Sequence, residues 1–391
     1  MEDEMKIAIV GFGVVGSGAY EASRSVDNLE VTAVLNRGVA PGYEYMADLF
    51  KDSIDDIVND PEIELVVEAI GGVELPREYV LKCLNAGKHV VTPNKNLISA
   101  CYEELSECAR ANGVKIAFTP SSGGGIPWLF NLRRTRRTDR ISEVRGIVNG
   151  TCNYILDAMH KCGASFDDML AKAKELGYAE SNPSADIDGL DTLRKTVISA
   201  NTAFGTTIRE SDVPCFGIRS ITADDISFFS ERGLTCRLMM NATHTGDSVS
   251  AYVEPVLFAR DALEASVETN NNLITLVGDC VGTLSFYGQG AGKMPTGQSV
   301  IQDVLDIRDN VSLSCLEADA DLKVDNSSAV HRYYVRCSDI LPCIENFCDS
   351  VSEFRGSYRV ITKPVSVAKM HEAAREMKEE GLAFFFAGMG E

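Results

Sequence analysis

No stretch of the sequence narrows the possible architectures more than Gly11-Phe-Gly13-Val-Val-Gly16. The apolar run Lys6 to Val10 leads into it, a helix-compatible segment through Ser25 follows, and a second apolar run covers Leu29 to Leu35. Strand, glycine turn, helix and strand within about 30 residues begin a doubly wound parallel sheet that holds a dinucleotide. Gly11 permits the tight turn, Gly13 lets the backbone approach a pyrophosphate, and Gly16 lets helix and sheet pack closely. With Val14 and Val15 they form the expected cofactor-binding turn, whose helix N-terminus faces the phosphates.

An acid at the end of the second strand would hold the ribose 2'-hydroxyl of NAD, but Asn36-Arg37 stands there. Arg37 suits a 2'-phosphate and favours NADP over NAD; an arginine at a strand end is also a common surface residue. Further strands are expected at Ile63 to Ala69 and Val114 to Phe118 and, with its turn, over Lys88 to Lys95, with helices at Arg77 to Asn85 and Tyr102 to Asn112. Asn94 and Lys95 then fall at a carboxyl end, where open parallel sheets bind ligands, so Lys95 is a candidate cofactor or substrate contact. Thr119-Pro-Ser-Ser-Gly-Gly-Gly-Ile-Pro127 is neither helix nor strand, and Ile126, Trp128 and Leu129 make it an ordered loop rather than a linker.

At 391 residues the chain suggests two or three domains. A formal net charge of -20 disfavours nucleic acid and anionic membrane as partners. Arg133-Arg-Thr-Arg-Arg137 is the local exception, read as a solvated helix end or as a phosphate contact. No apolar run approaches the roughly 20 residues that span a bilayer, and Met-Glu-Asp-Glu-Met-Lys lacks the pattern of a signal peptide. The 12 cysteines fall singly, without zinc spacing, as in a reducing compartment, so the cytoplasm is expected.

Glu180 to Lys195 crowds acids and a lysine into a turn and the helix it opens, expected to start near Asp186 to Asp188. Asp191 and Lys195 are four apart and share a face. On an exposed face they are a solubility pair. In a cleft, desolvation and the carboxylates would act oppositely on the lysine and make it a proton donor and acceptor. Before this stretch, Ile141 to Val148 alternates as a strand, Asn149-Gly-Thr-Cys-Asn opens a helix, and Ser165-x-x-Asp168 is a capping box.

Gly-Phe-Gly-Val-Val-Gly at 11 to 16, Val-Val-Thr-Pro-Asn-Lys at 90 to 95, Gly-Gly-Gly-Ile-Pro at 123 to 127, Gly-Ile-Val-Asn-Gly-Thr-Cys-Asn-Tyr-Ile-Leu at 146 to 156 and Asp-Gly-Leu-Asp-x-x-Arg-Lys at 188 to 195 together resemble homoserine dehydrogenase, in order along the chain. The resemblance implies an α/β protein: a Rossmann-type domain over 1–128, and an α+β substrate and dimerisation domain over 129–315 from which 290–310 returns to the cofactor domain. It implies reversible reduction of L-aspartate 4-semialdehyde to L-homoserine by NAD(P)H. Lys195 would be the general acid, with Asp191 orienting it or binding substrate. Asp186 and Glu180 would meet the substrate, Lys95 would sit between nicotinamide and substrate, and Gly290 and Gly292 would lie near the cofactor. Main-chain carbonyls of Thr119, Ser122, Gly124 and Ile126 would hold a sodium ion, although the family commonly carries Glu in place of Thr119. A homodimer or tetramer is implied.

Residues 330–391 resemble a shortened ACT domain, read as strand, helix (Ile340 to Val351), strand, helix, strand, with one strand lost after Phe354 and the glycine-free Ser338 to Pro342 at the usual effector turn. Two rivals remain: a dehydrogenase for another amino-acid aldehyde, and a silent nucleotide-sensing or scaffold protein.

Overall fold

The computed structural model describes residues 4–311 and 322–390 and divides into two units, Met1–Thr138 with Gly288–Asp319, and Asp139–Tyr287 with Ala320–Glu391. The domain boundary expected near residue 315 lies outside the described residues.

The first unit is a six-stranded parallel sheet of β1 (Met5–Val10), β2 (Leu29–Leu35), β3 (Phe50–Lys51), β4 (Leu65–Glu68), β5 (His89–Val91) and β6 (Ile116–Ala117). The order is β3-β2-β1-β4-β5-β6. Chain order reverses beside β1, so a crevice opens at the carboxyl ends of β1 and β4, where such sheets bind ligands. Ile7, Ile9, Val34, Leu65 and Val67 are buried in its core, as unbroken β-branched runs require when helices cover the sheet. The helix Lys293–Arg308 belongs to this unit and packs on the helix Val14–Ser23, adding Val300 and Val304 to the same core. One expected helix begins early: it spans Lys95–Ala111, not Tyr102 onward, because the Asn94 side chain accepts the Leu97 N–H as an N-cap.

The second unit is a mostly antiparallel sheet of β7 (Ile141–Ile147), β8 (Leu234–Thr245), β9 (Ser248–Ala259), β10 (Asn271–Gly278), β11 (Gly282–Gln289), β12 (Lys323–Val324), β13 (Val330–Cys337), β14 (Cys348–Phe354), β15 (Ser357–Thr362), β16 (Val365–Ser366) and β17 (Phe384–Met389). Its path is β11-β10-β7-β8-β9-β17-β13-β15-β14, with β12 on β9 and β16 on β13. The helices Gly150–Cys162, Leu190–Phe204 and Ala223–Glu231 pack on it. The helix expected from Asp186 to Asp188 is two pieces: Ser184–Ile187, then Leu190–Phe204. Gly189 at φ +87° separates them, and a Cβ there would meet the Cys215 sulfur at 2.8 Å.

The tail corrects the sequence reading. Cys348–Phe354 is a strand rather than the end of a helix, so no strand is missing, and what is short is the first helix, Pro342–Glu345. Apart from the two-residue β16 at the start of its second helix, the tail runs strand, helix, two strands, helix, strand, in the order β17-β13-β15-β14, which is ferredoxin-like. The polar make-up of Cys348-Asp-Ser-Val-Ser-Glu-Phe explains the misreading: this edge strand exposes both faces, so no period-two apolar stripe marks it. β17 continues the sheet in parallel beside β9, pairing Gly388 with Val256.

Candidate active site

In the first unit the glycine turn is shaped by close backbone approach. A Cβ on Gly11 would fall 2.7 Å from the Ala69 carbonyl, and one on Gly16 would fall 2.0 Å from the Gly11 oxygen. Gly13, by contrast, has nothing within 4 Å of such an atom, and Val14 beyond it is exposed. Space is therefore open beside Gly13, at the N-terminus of the helix Val14–Ser23. At the end of β2, Asn36 Oδ1 accepts the Phe12 N–H at 3.4 Å and Arg37 is exposed.

Glu68, missed in the sequence, ends β4 almost fully buried. Its carboxylate accepts the Thr92 hydroxyl at 2.6 Å and the Ile70 N–H at 2.7 Å, and Asn94 Nδ2 donates to the Gly72 carbonyl at 2.9 Å. Burial raises the Glu68 pKa against the pull of those hydrogen bonds. This network ties the loop opposite Gly11 to the turn that leads into Lys95, the first residue of its helix.

The loop after Phe118 is ordered. Thr119–Ser121 forms a 3-10 turn, Thr119 and Ser122 are buried, and the Ile126 carbonyl accepts the Trp128 N–H at 2.7 Å. Gly124 meets the returning segment backbone to backbone, since a Cβ on it would lie 2.4 Å from the Gly290 carbonyl oxygen. Gly292, at φ +131°, precedes the helix that carries Asp303. Asp303 accepts the Thr119 N–H at 2.8 Å, and burial pushes its carboxyl up to about 6. Arg133, read as part of a solvated helix end, is instead buried, with its guanidinium 4.5 Å from the Phe118 ring centre. Among the described residues no group of three His, Cys, Asp or Glu side chains is set to hold a metal.

The second unit gathers the titratable groups. Lys195 is 8% exposed and Asp191 5%, so the pair is buried and not a surface device. Lys195 Nζ donates to Asp191 Oδ2 at 2.8 Å and to the Val148 carbonyl at 2.6 Å. An ammonium has three hydrogens, and the third has no acceptor among the described residues. Asn149, also missed as a functional residue, donates to Asp186 Oδ1 at 2.7 Å and Asp191 Oδ2 at 2.8 Å. Glu180 is exposed on the segment before Ser184 and takes no part in these hydrogen bonds. A buried ammonium held by a carboxylate, with one hydrogen to spare, can give a proton to an oxygen that gains negative charge. The half-buried Asp186 carboxylate beside it can accept from a cationic group.

Comparison with known proteins gives one answer. Family models match twice, as homoserine dehydrogenase over residues 127–305 and as the NAD binding domain of homoserine dehydrogenase over 11–119. A homoserine dehydrogenase of Synechocystis sp. is 36% identical over 356 residues, 88% of this chain and 82% of that protein. One of Corynebacterium glutamicum is 39% identical over 314 residues, 76% of this chain and 71% of its own. The crystal structure of a homoserine dehydrogenase from Thiobacillus denitrificans superposes with a TM-score of 0.87 at 28% identity, covering 99% of this chain and 98% of that one.

Proposed function

From its membership of the homoserine dehydrogenase family, whose enzymes are NAD(P)-dependent oxidoreductases acting on CH–OH, we infer that this chain interconverts L-aspartate 4-semialdehyde and L-homoserine. The observation that carries the chemistry is the buried Lys195, held by Asp191 and the Val148 carbonyl with one hydrogen left over. A bound nicotinamide supplies the hydride that reduces the aldehyde carbon. Lys195 gives its proton to the carbonyl oxygen as that oxygen becomes a hydroxyl, and takes it back in the reverse direction. Asp191 keeps the ammonium oriented, Asp186 accepts from the amino group of the substrate, and Glu180 meets its polar end. Lys95, at a helix N-terminus beside the Glu68 network, contacts cofactor and substrate.

Gly11, Gly13, Val14, Val15 and Gly16 present amides to the pyrophosphate, and the open space at Gly13 supports this. Gly290 and Gly292 border the same ligand. Arg37, exposed where NAD-binding folds place an acid, favours NADP. The main-chain carbonyls of Thr119, Ser122, Gly124 and Ile126 suit a monovalent cation. Ile126 keeps one lone pair beyond its bond to Trp128, and the neighbouring Ser121 hydroxyl is buried without a partner. A homodimer built on the second unit's sheet is supported by the edge strand β11, where Leu284 and Tyr287 are exposed.

The test is NAD(P)H oxidation by the purified protein against aspartate semialdehyde and a panel of other short aldehydes. Preference for aspartate semialdehyde is expected. Preference for another amino-acid aldehyde would move the substrate, and no oxidation with any would leave a silent nucleotide-binding protein.

A further inference from the structure

We propose that Asn149 is the positioning residue of this site: its one amide nitrogen holds Asp186 and Asp191 together and, through Asp191, aims Lys195 at the reacting oxygen. The inference rests on the functional reading above and assigns a role to a residue outside that mechanism. The amide orientation is fixed by its surroundings. Asn149 Oδ1 accepts the Cys152 N–H at 2.8 Å, so Nδ2 must lie on the carboxylate side, where a flipped oxygen would face two acceptors. Both of its hydrogens are spent, one on Asp186 and one on Asp191, and at 5% exposure water has little room to replace them.

Residue type matters at this position. A neutral donor lets two carboxylates approach one site without adding a cation that would compete with Lys195 for Asp191. The preceding carbonyl, that of Val148, receives Lys195 itself, so two consecutive residues set the ammonium and its carboxylate. The backbone of the Asp186 turn is anchored separately, by Cys152 Sγ to the Asp186 carbonyl at 3.2 Å and by the Ile218 N–H to the Ile187 carbonyl at 2.8 Å. Asn149 adds to these anchors the tie that runs through the side chains of Asp186 and Asp191. The titratable groups around it are Asp186, Asp191, Lys195 and Cys152.

Two variants separate this role from the helix cap that Asn149 also provides. Asn149→Ser retains a capping oxygen but is too short to reach both carboxylates. Asn149→Asp keeps shape and cap but turns the donor into a third acceptor. In Asn149→Ser the melting temperature should stay near that of the parent while kcat/KM falls roughly 100-fold, with KM raised through Asp186 and kcat lowered through Lys195. In Asn149→Asp, kcat should be lost at neutral pH and partly return as pH falls, because a proton bound by the three carboxylates restores a donor. Amide hydrogen exchange reads the positioning without turnover: residues 184–191 should exchange faster in both variants, and the helix Gly150–Cys162 should not. Parent-like kinetics in Asn149→Ser, an Asn149→Asp pH profile parallel to the parent, or unchanged exchange at 184–191 would each overturn the proposal. If the parent itself does not reduce aspartate semialdehyde, the functional reading fails, and the exchange result still decides the role of Asn149.

Discussion

Gly18 and Gly297 meet where two helices of the first unit cross, and neither has room for a methyl group. A Cβ on Gly18 would lie 2.2 Å from the Lys293 carbonyl oxygen, and one on Gly297 would lie 2.3 Å from the Gly18 carbonyl carbon. These helices are 270 residues apart in sequence, and the crossing joins the returning segment to the glycine-turn helix. Gly297→Ala should therefore destabilise the protein by about 1–3 kcal/mol through overpacking. Urea unfolding monitored in the first unit checks it, and an unchanged midpoint would mean that the helices separate at little cost.

Lys195→Met keeps the stem and removes the proton. Turnover should fall by roughly 100-fold to 10,000-fold, while nucleotide affinity, measured by fluorescence titration, stays at the parent value. Near-normal turnover would put the proton donor elsewhere.

Arg37→Ala should weaken NADPH binding by about 1.5–3 kcal/mol, the range of a charge-assisted contact to a 2'-phosphate, and leave NADH binding nearly unchanged. Equal losses for both cofactors, by calorimetric titration, would defeat the assignment of Arg37.

His160 supplies the pH prediction. Its Nε2 accepts the Cys236 N–H at 2.9 Å, which only the neutral ring can do, and burial, helped by Arg237, pushes its pKa down to about 4. The unfolded chain binds a proton near pH 6.5, above the folded value, so this stability is full at neutral pH and is lost as pH falls from about 6.5 to about 4. It amounts to at most about 3 kcal/mol. Asp303 works against it, because its raised pKa favours the folded state as pH drops below about 6. Comparing parent with His160→Gln isolates the histidine: the variant should lose the downward slope below pH 6.5, and parallel curves would refute the assignment.

Much of the first unit was legible because its signals are local. Leu29–Leu35 is a strand at the bounds that its apolar run suggests, and Gly11, Gly13 and Gly16 meet backbone or open space as their spacing requires. The Asp191 and Lys195 pair was legible as a shared face, but its burial was not, since that depends on β7, β8 and β9, against which their helix packs. Asn149 looked like a turn residue because its partners, Asp186 and Asp191, are 37 and 42 positions away. Glu68 was hidden in an apolar strand, and only folding brings Thr92 beside it. β14 escaped because an edge strand exposed on both faces carries no periodicity.

The tail bears on the second unit through buried charge. Asp225, which completes the capping box of the helix Ala223–Glu231 by accepting the Thr222 N–H, is fully buried and accepts the Tyr334 hydroxyl and Arg336 Nε, both at 2.8 Å. Glu254 on β9 is likewise buried and accepts His371 Nε2 at 3.1 Å. Arg336→Met keeps most of the apolar stem and strands the Asp225 charge, which should cost about 3–5 kcal/mol, whereas Arg336→Lys should recover part of it. The loss should appear in denaturant unfolding while kcat of the remaining folded protein stays near the parent, because Asp225 lies outside the lysine–carboxylate cluster. A truncation after Asn326 would remove the tail partners of both carboxylates, leaving Asp225 only Thr222, and would uncover the β9 edge; it should give insoluble protein rather than an enzyme merely freed of its tail. A soluble truncation with parent kinetics, or an Arg336→Met protein as stable as the parent, would show that the tail only leans on the substrate unit. Because the tail has its full set of strands, the glycine-free turn at Ser338 to Pro342 is the remaining sequence argument against an amino-acid effector there. The intact chain, titrated with threonine, is the sample that tests it.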